Sequence, residues 1–326
     1  WTLRNILNTG FSLHPFVVIR NFSREEKAAV KSILSSEKFD IIHAETFYVS
    51  PHIPKTNIPI VLVEQTIEYE VYNHYVKHYR FPILKPLLFV DVLKIKFWEI
   101  YYWKRARRVV AVSDDDAKVM RSQVKGLRVT VVPNGVGEDL IQPVHPHFNY
   151  KILFIGNYDW LQNAEAARIL AKEVFPRIKK ELPDSELIIA GQNTEKIQDL
   201  KSGGITLNDF AVDDVKSVQS AFRTSGVLVA PLYGPGGTRL KILSAMAAHL
   251  PVVTTTIGNQ GIVAVPGESI MRGETSEQLA DATIKLLQDK KLYEKIARNA
   301  RTLVENNYSY NVLAKKLSGV YKDAKS

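Results

Sequence analysis

The sequence contains no cysteine, which excludes disulfides, thiolate nucleophiles and cysteine-bound zinc. It also lacks the run of about 18 apolar residues that a membrane-spanning helix needs. It begins at Trp1 without a methionine, a basic segment or an apolar segment. We therefore expect that an N-terminal piece is missing. The lack of cysteine fits a reducing cytoplasm, and we predict a cytoplasmic protein.

Bulk composition describes an ordinary globular protein. The chain has 326 residues, of which 45% are hydrophobic and 24% charged. This length is sufficient for two domains, each with its own core.

The net charge of +9 is concentrated in one segment, residues 71–108. Its nine cations are Lys77, Arg80, Lys85, Lys94, Lys96, Lys104, Arg105, Arg107 and Arg108, and aromatic residues lie between them. A basic, aromatic, helical stretch favours contact with an anionic membrane surface, here its inner face, or with a lipid phosphate. The alternative is a solvated helix face with its aromatics in the core. Nucleic acid is disfavoured because no groove-reading or RNA-binding motif accompanies the charge.

Strand and helix patterns alternate along the chain. Strands are predicted at 16–20, 39–44, 58–64, 109–112, 129–132, 151–155, 186–190, 227–230 and 252–256. Helices are predicted at 23–36, at 163–180, at 238–249 and in three segments from Ser276. A long helical region also follows the strand at 58–64 and extends to 108, with interruptions at Pro82 and Pro86. The strands are continuous apolar runs, which indicates sheets covered on both faces. We predict an α/β protein of two domains joined near 143–149.

From residue 109 onward the sequence resembles the family 4 glycosyltransferases of GT-B fold, most closely those that build bacterial polysaccharides. The motifs are VAVSDDDA at 110–117, VVPNGV at 131–136, FIGNYDW at 154–160, VAPL at 229–232, GGTRLKIL at 236–243, AMA at 245–247, PVVTT at 251–255, Gly258 and QGI at 260–262. Residues 1–108 resemble the family loosely, through FDIIH at 39–43 and VLVE at 61–64.

The resemblance implies two Rossmann-like domains facing each other across a cleft. The first, acceptor-side domain would comprise 1–145, incomplete at its start and completed by the C-terminal helix 308–326. The second, 146–307, would bind the nucleotide sugar. The resemblance also implies a retaining transfer with no metal ion and no cofactor beyond the nucleotide-sugar co-substrate.

The block from Gly236 to Ser244 is the main candidate site. Gly236, Gly237 and Thr238 let the backbone approach a ligand, and a helix N-terminus follows, which binds anions. Arg239 and Lys241 lie where a cation opposes the helix dipole. A diphosphate ligand explains both cations, which would neutralise it as it leaves.

The family commonly has a glutamate where this chain has Ser244, so a serine would bind the ribose more weakly. Gly156 and Asn157 end a strand and would line the cleft under the phosphates; a purely structural loop is the alternative. In the same loop we interpret Trp160 as a core residue and Asn163 as a helix cap.

Asp114 and Asp116 have the Asp-x-Asp spacing of a metal-binding pair. Ser113 before them is a typical N-cap, and aspartates in a first turn stabilise a helix without metal. We therefore predict no metal site here.

Three further side chains follow strands of the first domain, where such sheets bind ligands: His43, Glu64 and Glu68. His43 could orient the acceptor or contact the donor sugar, and a satisfied core histidine is the alternative. Glu64 and Glu68 are candidate acceptor-side residues. Gln65 and Thr66 replace a histidine–asparagine pair that relatives often carry, so no general base is assigned.

The sequence thus predicts a hexosyltransferase that uses a nucleoside diphosphate sugar and a glycan or polyprenyl-linked acceptor. Ser244 and Gln65 keep open a non-catalytic sugar-nucleotide-binding partner. A sugar-nucleotide epimerase of the same fold is a third possibility.

Overall fold

The computed structural model describes residues 2–137, 140, 148–234 and 239–326. Contacts divide the described chain into two units. The first unit contains 2–133 and 314–326, and the second contains residues from 134 to 234 and 239–313. Each unit is built on its own parallel sheet.

The first unit contains six helices that precede the second unit in the chain. They are α1 (Leu3–Phe11), α2 (Phe16–Asn21), α3 (Arg24–Ser36), α4 (Glu68–Lys77), α5 (Lys85–Arg105) and α6 (Asp114–Gln123). Its strands are β1 (Ile42–Glu45), β2 (Ile60–Glu64), β3 (Arg108–Ala111) and β4 (Val129–Val131). Short 3₁₀ turns lie at Phe47–His52 and Pro82–Leu84.

The first sheet has the order β1-β2-β3-β4, with every pair parallel. Its central strands are buried along most of their length, as their continuous apolar runs predict. Ile95 and Trp103 of α5 and Met120 of α6 pack in the same core.

Two helix starts confirm the capping patterns of the sequence. The Ser23 hydroxyl accepts a hydrogen bond from the Glu26 backbone N–H at 3.1 Å, which caps α3. The Ser113 hydroxyl accepts one from the Asp116 N–H at 3.0 Å, and three aspartates fill the first turn of α6. These contacts stabilise each helix N-terminus.

The predicted strand at 16–20 is wrong, because this segment forms α2. Pro15 stands at the N-cap of α2, and the Phe16 N–H donates to the Asp91 carboxylate of α5 at 3.0 Å. Phe16, Val17 and Val18 are buried together. Tertiary burial thus overrides the weak β preference of three adjacent apolar residues.

The second unit contains six strands. They are β5 (Lys151–Asn157), β6 (Glu186–Gln192), β7 (Ile205–Asp209), β8 (Val227–Ala230), β9 (Val252–Thr254) and β10 (Met271–Arg272). Its helices are α7 (Leu161–Ile169), α8 (Phe175–Glu181), α9 (Val215–Thr224), α10 (Leu240–Ala247), α11 (Ser276–Gln288) and α12 (Lys290–Asn307). The last helix is α13 (Tyr310–Lys325), whose residues from 314 belong to the first unit. A π-helical segment, Leu170–Val174, joins α7 to α8.

The second sheet has the order β10-β9-β8-β5-β6-β7, and all its pairs are parallel. The chain runs outward from β5 through β6 to β7 and then returns to place β8 on the other side of β5. This is the Rossmann strand order, with its topological switch point between β5 and β8. Among the described residues, no helix has both the length and the apolar character needed to cross a bilayer.

Candidate functional site

The switch point of the second sheet brings several predicted site residues together. β5 and β8 are paired directly, with Ile152 opposite Val227. β5 ends in Gly156 and Asn157, while the chain after β8 leads to Arg239 and α10. Ligands of open parallel sheets bind in the crevice at the carboxyl ends of such strands. Gly236, Gly237 and Thr238 lie outside the described residues.

Lys241, in the first turn of α10, directs its amine toward the end of β5. The amine donates a hydrogen bond to Asn163 Oδ1 at 2.6 Å and lies 4.5 Å from the centre of the Phe154 ring. Gly156 leaves room for this approach, since a Cβ there would lie 3.0 Å from Lys241 Nζ and 2.9 Å from Asn163 Cγ. Because residue 156 is a glycine, the Lys241 amine can pack against the carboxyl end of β5.

The surroundings of Lys241 disfavour its charged form. Burial, together with the nearby Arg239 charge, lowers the pKa of Lys241 to about 7. Neither of its contacts, with Asn163 and Phe154, brings a carboxylate to the amine. A buried cation normally has a counter-ion, so this site suits a negatively charged ligand.

Arg239 is the N-cap residue of α10 and makes no capping hydrogen bond with its side chain. Its guanidinium donates to the Gly234 carbonyl oxygen at 2.5 Å, in the loop that follows β8. Arg239 and Lys241 therefore both lie near the carboxyl ends of β5 and β8. Ser244 lies three residues beyond Lys241 on α10 and is half-buried.

Asn163 does not cap α7, contrary to the sequence interpretation. The N-cap position is Trp160, whose side chain is 60% exposed and lies outside the core. Because the helix begins earlier than predicted, Asn163 falls inside it and its side chain bridges two elements. Its Nδ2 donates to the Asn157 carbonyl at 2.8 Å while its Oδ1 accepts from Lys241.

Asn157 is held in place by residues at the end of the neighbouring strand β6. Its Nδ2 donates to Gln192 Oε1 at 2.9 Å, and its Oδ1 accepts from Asn193 Nδ2 at 2.8 Å. The turn after β5 is thus fixed by amide groups, without a charged side chain among these contacts.

In the first unit, His43 lies within β1 and not after it. Its Nδ1 lies 2.6 Å from the Tyr321 hydroxyl of α13, and its Nε2 lies 3.3 Å from Glu45 Oε1. Gln65 donates to the other oxygen of Glu45 at 3.3 Å. These polar side chains form a connected group that is open to solvent.

Glu64 lies in the core of the first unit. Its two oxygens accept from Trp103 Nε1 at 2.9 Å and from the Phe47 N–H at 3.3 Å. Burial raises the pKa of Glu64 to about 8. Both oxygens are thus engaged internally, which assigns Glu64 a structural role and not contact with an acceptor.

Glu68 is the first residue of α4 and is half-buried. Burial raises the pKa of Glu68 to about 7, and Arg20 opposes this rise. Beside it, the fully buried Glu99 of α5 accepts from the Glu68 and Tyr69 N–H groups at 2.8 and 3.2 Å. Glu99 caps α4 from a different helix, a role that no local sequence pattern predicted.

Models of known protein families match residues in both units. A protein-family model described as Glycosyltransferase Family 4 matches residues 5–140, and a second family model, described as Glycosyl transferases group 1, matches residues 149–289. The chain belongs to the family 4 glycosyltransferases. These two matches cover the β1–β4 sheet and the sheet that carries Lys241.

Among curated proteins, this glycosyltransferase chain is similar to the phosphatidyl-myo-inositol mannosyltransferase of Mycobacterium leprae. The two are 26% identical over 223 residues, which is 65% of this chain and 58% of that protein. The chain spans 46% and 58% of the lengths of the first two curated relatives that it matches.

Solved structures share the GT-B fold. The sucrose-phosphate synthase of Thermosynechococcus elongatus matches with a TM-score of 0.70 at 16% identity, over 91% of this chain and 76% of that one. The Anabaena protein HepE in complex with UDP-glucose matches with a TM-score of 0.69 at 13% identity, over 91% and 81%. At such identities the likeness shows the fold alone.

Proposed function

We propose that this chain transfers a hexosyl group from a nucleoside diphosphate sugar to a glycan or lipid-linked acceptor in cell-surface polysaccharide synthesis. The transfer retains the anomeric configuration and needs no metal ion or other cofactor. One observation carries the proposal: the half-buried side chain of Lys241 directs its amine into the β5–β8 switch point, where no carboxylate of the described residues contacts it. The family match and the named transferase relative support the same activity.

In this mechanism the diphosphate of the donor lies between the end of β5 and the start of α10. Arg239 and Lys241 neutralise the negative charge that develops on the diphosphate as the bond to the anomeric carbon breaks. The guanidinium can bind two phosphate oxygens at once, and the amine supplies a point charge. The departing phosphate oxygen then takes the proton of the attacking acceptor hydroxyl, so no protein base is required.

A lipid or lipid-linked acceptor is supported by two observations. The mycobacterial relative is named for a phosphatidylinositol acceptor. In this chain, α5 exposes Leu87, Val90, Leu93 and Phe97 to solvent. Their spacing of three, three and four places them on one face of the helix.

Basic residues lie at both ends of this apolar face. Lys77, Arg80 and Lys85 precede it, and Lys104 and Arg105 end α5. Trp103 of the same helix is fully buried, so the aromatic residues of 71–108 divide between the core and the surface. We infer that this face contacts an anionic membrane surface, because apolar residues flanked by cations match its chemistry.

Isothermal titration of the chain with UDP, GDP, ADP and dTDP tests the donor site. We expect one of the four to bind, and Lys241→Met to weaken its binding by about tenfold or more. Lys179→Met is the matched control, because Lys179 donates to the Ser185 carbonyl just before the amino end of β6, away from the carboxyl ends that form the candidate site. If none binds, or if Lys241→Met binds like the wild type, the proposal fails.

A second assay separates transfer from binding alone. Nucleoside diphosphate release is measured from the corresponding nucleotide sugar, with and without a lipid extract that contains polyprenyl-linked glycans. Acceptor-dependent release supports a transferase. Binding without release would favour a non-catalytic sugar-nucleotide-binding partner, for which Ser244 in place of a glutamate is the motivating observation. Conversion of the donor alone, without an acceptor, would favour an epimerase.

A further inference from the structure

We propose that Asn163 is a positioning residue that holds the Lys241 amine at the diphosphate site. This amine is uncharged in the free protein and takes up a proton from solvent when the diphosphate binds. The inference rests on the proposed function and adds a proton-linked step to donor binding. It concerns four described residues of the second unit: Phe154, Gly156, Asn163 and Lys241.

The orientation of the Asn163 amide is fixed from both sides. Its Nδ2 donates to the Asn157 carbonyl oxygen at 2.8 Å, so its Oδ1 is the atom that faces Lys241, at 2.6 Å. An amide oxygen accepts a hydrogen bond from either a neutral or a charged amine. Asn163 can therefore hold Lys241 in the same place before and after protonation.

Among the residues that the structure describes, the remaining neighbours of the amine are apolar or positively charged. Phe154 lies under it and Gly156 beside it. Arg239 is the charged group that acts on it from the start of α10. On α7, Arg168 pairs with Asp199, and Glu165 lies two positions from Asn163 on a different side of the helix. Lys151 lies at the opposite end of β5.

These surroundings determine the protonation state in the free protein. Burial is the main cause that lowers the pKa of Lys241 to about 7, and the Arg239 charge adds to it. At pH 8 about nine-tenths of the amine is then neutral. A neutral amine avoids the free-energy cost of a buried charge without a counter-ion.

A bound diphosphate reverses this balance. Negative charge within about 4–6 Å favours the protonated amine and raises its pKa by roughly 1–3 units. The amine then becomes an ammonium group at the moment when a cation is needed. Donor binding at pH 8 is therefore accompanied by uptake of up to about 0.9 proton.

Calorimetry of the full chain at pH 8 measures this uptake. UDP, GDP, ADP and dTDP are each titrated in HEPES, Tricine and Tris, whose ionisation enthalpies differ. The slope of the observed enthalpy against the buffer enthalpy gives the number of protons. The terminal phosphate of these ligands, with a second pKa of about 6, is already ionised at pH 8 and contributes little. We expect about 0.4 to 0.9 proton per bound ligand for the wild type and none for Lys241→Met.

Asn163→Asp isolates the role of the amide. A carboxylate at 163 would keep Lys241 charged in the free protein, so proton uptake should disappear. Asn149→Asp is the matched control, because Asn149 also bridges two backbone groups, the Lys151 N–H and the Thr224 carbonyl, at the other end of β5. It should leave the uptake unchanged. Asn163→Ala should weaken binding about tenfold through loss of the amine's position.

A second readout does not depend on ligand affinity. The pH titration of ¹³Cε-labelled lysines in the free protein should show one lysine that titrates near pH 7 and is absent in Lys241→Met. Asn163→Asp should move this titration upward, while Asn149→Asp should not.

Two outcomes are distinguishable. Ligand binding without proton uptake, or a Lys241 titration near that of an ordinary lysine, overturns this inference and leaves the proposed transferase intact. Failure of all four nucleoside diphosphates to bind overturns the proposed function, and the inference with it.

Discussion

At the residue scale, Lys241 is placed where its charge destabilises the fold. In the unfolded chain its pKa would be about 10.4, whereas burial lowers it to about 7 in the folded protein. The unfolded chain therefore binds more protons between about pH 7 and pH 10, so this lysine's cost to folding declines as the pH rises through that window. A residue that reduces stability in this way is typical of a functional site.

Lys241→Met should raise the free energy of unfolding of the second unit by roughly 1–3 kcal/mol at pH 7, because it removes the cost of burying or deprotonating the amine and retains the apolar stem. The gain should shrink at pH 10. Hydrogen exchange followed on peptides of β5 and β8 measures it within the whole chain. Lys179→Met, which removes a lysine that donates to the Ser185 carbonyl, should show no gain. Equal destabilisation by both substitutions would contradict this account.

At the scale of elements, α5 has two different faces. Its inner face carries Glu99, which caps α4, and Trp103, which binds Glu64 at the end of β2. Its outer face exposes an apolar stripe. The segment after α1 adjoins this helix, since Trp98 Nε1 donates to the Leu13 carbonyl at 2.9 Å and Leu13 itself is exposed. The inner contacts fix the helix, and the outer face is the surface for which we propose membrane contact.

Sedimentation with lipid vesicles tests the outer face. The chain should bind vesicles of phosphatidylglycerol and phosphatidylcholine more than pure phosphatidylcholine, and less in high salt, because part of the attraction is electrostatic. Leu93→Ser with Phe97→Ser should reduce the bound fraction about fivefold or more. Val212→Ser with Val215→Ser removes two exposed valines of the second unit and should have no effect. Equal binding by both double variants would contradict the proposed membrane contact.

Elements with a strong local signal could be predicted from the sequence. The strand at 227–230 agrees with β8, and the caps at Ser23 and Ser113 are confirmed. The strand β7 was missed because an edge strand with Asn208 and Asp209 lacks a continuous apolar run. The segment 16–20 was misassigned because its helix begins at a hydrogen bond from the Phe16 N–H to Asp91, which is far away in the sequence.

The candidate site, too, could be predicted from the sequence only in part. Arg239, Lys241 and Gly156 could be proposed from residue type and position, because glycines after a strand and cations at a helix start suggest an anion site. The contact between Lys241 and Asn163 could not, since it joins residues 78 positions apart. Likewise the burial of Glu64 depends on Trp103 and Phe47, which the local pattern after β2 does not reveal.

At the scale of the whole molecule, the two units share a parallel α/β plan but differ in strand order. The described strands of the first unit are in sequential order, whereas the second has the 3-2-1-4-5-6 type of order with its switch point beside β5. The candidate phosphate-binding cations, Arg239 and Lys241, lie at the start of α10 in the second unit. The family match spans both units, and the proposed donor chemistry depends on one crevice of the second sheet.

A crystal structure with the nucleoside diphosphate that binds in calorimetry tests the central claim most directly. We predict that the phosphate oxygens lie within about 3.2 Å of Lys241 Nζ and of the Arg239 guanidinium, at the carboxyl ends of β5 and β8. A diphosphate bound elsewhere, with the Lys241 amine still contacting only Asn163 and Phe154, would contradict the account.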